Sequence, residues 1–537
     1  MAKKVHNITI LLLLVGFCIP KKLIAQYEKT GWESYEYVQE SNPWLYSDNA
    51  AGLHTITIDN LSYAEAYFNK KNGKLRNYFQ SDNSFQSGAD VKSLYRLNSK
   101  TVFYGNVNYS HFEGKNMGGA TFIDPYVSPF NIVEYADSTQ GKKALDIYHL
   151  TGAFSTELAR GFNVGTKLDY KTSNYAKFKD LRHENREMDL ILTLGAAYRI
   201  SPFWEAGINY TYRRRDEEIR FQSYGNTDQQ FNSLIDFGVF YGHQVRFSKS
   251  DGYTEANTFK PLFEEFQGAS FQLNFTLSPN ILFFNELTLK WRDGYYGKRG
   301  TSSVVYTEHT SKINEYRGNL TLLNSNDRHI LSFNISRELL KNYENSYQRS
   351  TLPNGTNVID YSSQEEMLNK TIWRFSAGYT AYLGVKDYSP IWILKINGEA
   401  NNMKQTVSIY PNYRKQDINQ WNVGMSASRN IIKSLNQYSL TLGLGYISGG
   451  GNEKKDGTYD SSTQGSTSVS LDRYIYREFE YLTTDRVRGN VTFRYSRLFP
   501  GKIKGYAQFN YALTNAFSTK YIGKTFNELA LSVGVGF

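Results

Sequence analysis

Lys167 and Asp169 stand two residues apart in FNVGTKLDYK, as do Glu187 and Asp189 in REMDLILTLGAAYRI, which also carries Arg199. Glu286, Lys290, Arg317, Lys395, Glu399, Arg488, Arg494 and Lys504 recur in the same way in other alternating stretches. A spacing of two puts side chains on one face of a strand. A face carrying both signs can select a polar solute. It can equally pair its own charges to hold a wall together, which is the commoner outcome. Catalysis is not expected. His54, His111, His149, His183, His243, His309 and His329 are scattered, without metal-ligand spacing, and no serine sits in a nucleophile elbow. Neither GGATFIDPYVSP (118–129) nor ISGGGNEKKDG (447–457) has a phosphate-loop context, and both read as outside loops. No cofactor and no metal is called for.

The elements that must carry these charges alternate with period two. KIKGYAQFNYALT sets Ile503, Ala507, Phe509, Tyr511 and Leu513 against Lys504, Gln508, Asn510 and Thr514, and NQYSLTLGLGYIS sets Tyr438, Leu440, Leu442, Leu444 and Tyr446 against small polar residues. Short connections at 97–101, 158–162, 200–203, 277–280, 324–327, 384–390, 431–436 and 499–502 are rich in turn residues. Between them lie long polar connections at about 71–83, 113–144, 173–186, 216–265, 293–311, 340–365, 403–414, 449–484 and 515–525. Strict alternation of short and long is the pattern of a transmembrane antiparallel β-barrel with short periplasmic turns and long extracellular loops. The segments add up to about 18 strands, with 16 or 20 as alternatives, because LIDFGVFYGHQVRF inside 216–265 has the look of one more hairpin. In a barrel the charged face points inward, since a charge on the lipid face costs about 2–4 kcal/mol at the midplane. Phe203, Trp204, Tyr388, Trp392, Tyr438 and Phe499 fall at periplasmic strand ends, and Tyr212, Trp291, Tyr295, Tyr296 and Tyr446 toward the outside, as two aromatic girdles.

Composition agrees. Tyr numbers 43, Phe 33 and Gly 42, with only 11 Pro and a negative mean hydropathy. The start has Lys3 and Lys4, an apolar run from Ile8 to Ile19 and a small residue at Ala25, the layout of a signal peptide over residues 1–25. Removing it takes away Cys18, the only cysteine, so neither disulfides nor thiolate sites are expected. It also lowers the formal charge from +10 to about +6, spread too thinly for nucleic acid but suited to lipid and lipopolysaccharide. Residues 26–60 alternate poorly and are rich in aromatics. Trp32, Tyr35, Trp44, Tyr46, Asn49 and Gly52 are candidate contacts of a segment folded into the lumen of a barrel formed by 61–537.

The last stretch, FNELALSVGVGF, sets Leu529, Leu531, Val533, Val535 and Phe537 against Glu528, Ser532 and two glycines. A chain can end within a strand if that strand pairs with the first one. Phe537 resembles the C-terminal signal that the assembly machinery of Gram-negative outer-membrane proteins reads. With Ala25-Gln26 and the Tyr-rich strands, the chain resembles a Bacteroidetes-type outer-membrane β-barrel family of unestablished function. SNPWLYSDNAAGL (41–53) is similar to the Asn-Pro-Ala-Gly-Leu element of long-chain fatty-acid transporter (FadL-like) barrels, with Ala50 in place of the proline. That likeness implies an N-terminal lumen plug and 14 strands. The strand number here differs, so the plug is carried over and the substrate is not.

Passive, selective transport of a small polar or amphipathic solute is the expectation. The alternative is a non-transporting barrel whose loops 113–144, 216–265 and 449–484 bind a partner protein or surface ligand. An open lumen favours the first, and a sealed lumen with packed loops the second. The segment before the first strand is too short for a TonB-dependent receptor plug domain.

Overall fold

A computed structural model of the chain describes residues 30–135, 137–225, 229–248, 252–462 and 469–537. The expected signal peptide lies outside the described residues. The strands, in chain order, are β1 (Asn60–Gly73), β2 (Asn83–Arg96), β3 (Thr101–Met117), β4 (Asn131–Glu134), β5 (Gly141–Ala159), β6 (Phe162–Lys177), β7 (Arg182–Ser201), β8 (Trp204–Gln222), β9 (Asn232–Asp236), β10 (Tyr241–Arg246) and β11 (Lys260–Ser278). They continue with β12 (Ile281–Gly297), β13 (Val305–Asn324), β14 (Asp327–Thr351), β15 (Asn357–Leu383), β16 (Trp392–Ile409), β17 (Asn412–Lys433), β18 (Asn436–Thr458), β19 (Val469–Ser470), β20 (Arg486–Phe499), β21 (Ile503–Ala516) and β22 (Thr525–Gly536). Among the described residues the α-helices are α1 (Tyr35–Glu40) and α2 (Asp472–Thr483).

Eighteen of the strands form one antiparallel sheet in which each pairs with its neighbours along the chain. β22 returns to β1, from Tyr63 opposite Gly536 to Gly73 opposite Phe526, and Ser62 and Phe537 exchange both backbone hydrogen bonds at 2.9 Å. Closure leaves no strand edge unpaired in lipid. The alternation is explained by the two environments. Leu440, Leu442, Leu444, Leu531, Val533 and Val535 are exposed on the outer face, while the residues between them face the lumen.

The eight short turns stand where turn chemistry placed them. The outer connections differ in kind from the sequence reading. β6 and β7 continue to Lys177 and from Arg182, and β16 and β17 are joined at Tyr410 and Pro411, so the expected loops 173–186 and 403–414 are mostly strand. β14 and β15 extend far past the roughly 9–11 residues that cross an apolar layer. ISGGGNEKKDG belongs to β18 and not to a loop. Beyond the lipid a hairpin still satisfies its own backbone, yet nothing enforces apolar alternation there. The pattern therefore fades before the strand does.

LIDFGVFYGHQVRF is a hairpin, β9–β10, but not a barrel hairpin. It joins β4 and β19 in a separate four-stranded sheet. Leu234, Ile235, Phe237 and Phe240 on both of its faces are buried, so it lies within protein. Two girdle residues are reassigned likewise. Tyr296 is fully buried beneath the outer loops, and Tyr388 packs against the N-terminal segment.

Candidate functional site

Residues 30–59 fold by local capping. Ser34 caps α1, Asn42 caps a turn with Pro43 in its first position, and Asn49 caps the turn Ala50–Thr55, each side chain accepting from a backbone N–H. The segment then meets inward-facing side chains on many strands. Lys504 donates to Glu33 O at 2.8 Å, Arg494 lies 3.6 Å from Glu36, and Lys395 is 2.7 Å from Glu40. Asp48 sits between Lys167 at 3.7 Å and Lys290 at 3.6 Å. Ser47 donates to Glu286 at 2.8 Å, and Arg317 donates to Tyr46 O at 3.0 Å. Burial opposes ionisation of Asp48, but Lys290, Lys167 and Arg317 outweigh it and hold the carboxyl below its ordinary value.

Asn49 has the densest contacts. Its Nδ2 donates to Ala196 O at 3.0 Å, Ile208 O at 3.2 Å and Gln272 Oε1 at 2.9 Å, and its Oδ1 accepts from Ala51 N. Three wall glycines make room for this turn. A Cβ at Gly195 would lie 2.0 Å from Asn49 Oδ1, one at Gly207 2.9 Å from Asn49 Nδ2, and one at Gly165 2.4 Å from Ala51 N. Trp44 is buried against Phe284 at 5.2 Å between ring centroids, and a Cβ on Gly52 would meet it at 2.9 Å. Trp32 and Tyr35 are buried, with Tyr35 edge-on to Tyr63. Tyr46 is half exposed and borders a cavity.

The remaining candidates pair within the wall. Asp169 accepts from His149 and Thr151, Glu187 from Arg215, and Asp189 from Nε and Nη2 of Arg213, each at 2.8 Å. Arg488 pairs with Glu528, and Glu399 accepts from Asn422. Arg199 is exposed at the periplasmic end of β7 beside the Gly161 turn. Phe537 is exposed on the outer surface.

The outer mouth is occupied by loop 118–135 and segments 229–248 and 252–256 together with α2. Wall side chains hold the first of these by its backbone. Lys143 donates to Ala120 O, Asn185 to Thr121 O, Arg292 to Val127 O and Asn342 to Pro129 O, while Ile123 N donates to Glu217. Phe122, Phe130, Ile132, Leu234, Ile235, Phe237, Phe240, Tyr474 and Ile475 form the apolar core above. Beneath it, Glu264 takes Arg215, Arg292 and His309 as partners, all of them buried. Sequence reasoning missed this cluster because 216–265 reads as a loop. The two-apart spacing of Arg213, Arg215 and Glu217 in RRRDEEIR was the available signal.

Among the described residues, two of the cavities, each of about 550 Å³, bear on the lumen. One lies beside the N-terminal segment, bordered by Glu40, Tyr46, Glu286 and Arg317. The other lies under the outer loops, bordered by Tyr126, Phe237, Lys370, Arg374, Asn401 and Glu478. Asn334 and Ser376 line both. Among the described residues no cluster of His, Cys, Asp and Glu could hold a metal ion.

Glu478 on α2 is pushed up to about 8 by burial and by the nearby charge of Asp236, itself raised to about 6 by burial. A proton held more tightly by the folded helix than by the unfolded chain stabilises the packed helix at low pH. That contribution is lost as pH rises from the ordinary carboxyl range through about 8. Amide exchange of Asp472–Thr483, corrected for intrinsic rates, is therefore expected to speed up between pH 5 and 9. Glu478→Gln should flatten the response.

No curated protein matches the chain's sequence. Among solved structures, the siderophore receptor PiuA from Acinetobacter baumannii is similar with 10% identity and a TM-score of 0.43, over 90% of this chain and 82% of that one. The ferric-catecholate import receptor Fiu from E. coli K12 is similar with 8% identity and a TM-score of 0.40, over 90% and 82%. At such low identity and scores the likeness says nothing of what this chain binds. The profile of one family covers residues 50–537, from the Asn49 turn to the closing strand, and the chain belongs to that family of unknown function, DUF6850.

Proposed function

We propose that the barrel sits in the outer membrane of a Gram-negative bacterium and passes a small polar or amphipathic solute passively through its lumen, with residues 30–59 as a plug that must shift. One observation carries this reading. The cavity beside the segment and the cavity under the outer loops share Asn334 and Ser376 in their linings, so they adjoin along the β14–β15 wall. Ion pairs at Glu36, Glu40 and Asp48 can exchange for water as the plug moves, while apolar contacts such as Trp44 on Phe284 and Tyr37 on Tyr382 seat it when docked. Most of the charged lumen residues named from the sequence pair with the wall or the plug, which supports a structural role for them.

The packed apolar core over the outer mouth favours the second reading, a barrel whose loops bind a partner protein or surface ligand. Solute flux separates the two. Proteoliposomes carrying the full chain are expected to equilibrate small polar solutes down a gradient. Bridging Asp48→Cys to Lys167→Cys with a short thiol crosslinker should abolish the flux. Absence of flux in the uncrosslinked protein, or flux unchanged by the bridge, would overturn the transport reading.

A further inference from the structure

We propose that the cavity under the outer loops binds a small zwitterion with an apolar body, of the class of an apolar amino acid or dipeptide. The proposal rests on the transport reading and names its solute. Lys370 on β15 is only 9% exposed and lines this cavity, yet it makes no hydrogen bond or ion pair among the described residues. Other buried cations of the lumen are matched: Lys143 by Ala120 O, Lys177 by Glu134, Arg215 and Arg292 by carboxylates. The stem of Lys370 is buried while the residue borders the cavity, and a wall that pairs its other buried cations leaves this ammonium free to meet a ligand there.

The same cavity is bordered by acids. Asp236 at the end of β9, Glu478 on α2 and Glu399 on β16 all line it. Asp236 and Glu478 are among the charges that act on Lys370, but neither is within ion-pair distance of it. A ligand with one carboxylate and one ammonium spans such a gap and satisfies both sides. Asn401 and Gln420, opposite each other on β16 and β17, also line the cavity with side-chain amides that make no hydrogen bond among the described residues. The body of the ligand would rest on Tyr78, Tyr126, Phe130, Phe237, Leu368 and Ile372. A simple anion would leave the acids Asp236 and Glu399 without a counter-charge, and a neutral sugar would leave Lys370 without one. The volume, about 550 Å³, is in the range of small-ligand sites.

Equilibrium dialysis of the full chain in micelles with labelled leucyl-leucine tests this. Saturable binding is expected, weaker by about tenfold or more for the N-acetylated, amidated dipeptide and for Lys370→Gln, because each removes a charge-assisted hydrogen bond. Lys370→Arg should retain binding. Heat-modifiable gel mobility reports whether each variant is a folded barrel. Equal binding of the blocked dipeptide, preferential binding of glucose, no saturable binding, or full affinity in folded Lys370→Gln would each overturn the proposal. Flux without leucyl-leucine binding would remove only the solute class, whereas absence of flux would remove the transport reading beneath it.

Discussion

Gly195→Val is expected to expel the N-terminal segment from its seat while leaving the barrel closed. The new Cβ would fall 2.0 Å from Asn49 Oδ1 and 2.8 Å from Asn49 Cγ, and the nearest wall atom, Asn209 Cβ, is at 3.4 Å, so the clash is almost wholly with the segment. Relief requires Asn49 to leave, which gives up its bonds to Ala196 O, Ile208 O and Gln272. Lost buried hydrogen bonds and overpacking each cost about 1–3 kcal/mol, so the docked form should lose about thirtyfold or more in population. Limited proteolysis should then cut within 30–59, while the barrel keeps its heat-modifiable mobility. Gly445→Val, with no atom closer than 3.7 Å to its added Cβ, is the matched control on another inward-facing position. Equal protease resistance in both variants would mean that the glycine groove does not seat the segment.

The second large effect concerns the outer loops. Glu264→Leu is expected to destabilise the protein by about 3–5 kcal/mol, because it removes one carboxylate from three buried groups at once. Arg215 loses a partner at 3.1 Å, His309 one at 3.3 Å, and Arg292 its closest. Arg292 also holds Val127 O, so loop 118–135 should loosen with it. Urea unfolding in micelles measures the first effect, and amide exchange of the loop the second. Combining Glu264→Leu with Arg292→Met should recover much of the loss, since a buried pair replaced by apolar groups is far less harmful than a pair broken. A change within about 0.5 kcal/mol in the single variant would show that the cluster holds nothing.

These two sites also show why one part of the molecule is legible in its sequence and another is not. Lipid on one side and water on the other force period-two alternation, so the strand pattern of β18, β21 and β22 is plain and leads directly to eighteen strands and closure. Outside the lipid that constraint ends. Glu217 and Glu264 sit on strands that continue beyond it, and they merge with the polar connection around them. The hairpin β9–β10 misleads for the opposite reason: it is apolar on both faces because protein surrounds it. The inward face of the wall is readable as charge, but not which charges have partners. Lys290 and Lys370 look alike in sequence, and only the fold sets Asp48 beside one and leaves the other facing a cavity. Gly165, Gly195 and Gly207 carry no signal of their own. Their role comes from lying side by side on β6, β7 and β8 beneath one turn.

The central claim, that residues 30–59 close the periplasmic half of the lumen, is tested most directly by accessibility of Ser376. This residue lines both cavities. With Cys18→Ser removing the only cysteine, Ser376→Cys becomes the sole target for a membrane-impermeant maleimide in lipid nanodiscs. Labelling is expected to be slow in the full chain and faster by about tenfold or more after deletion of 30–59, as the rate follows the open population. Equally fast labelling of both proteins would contradict the claim.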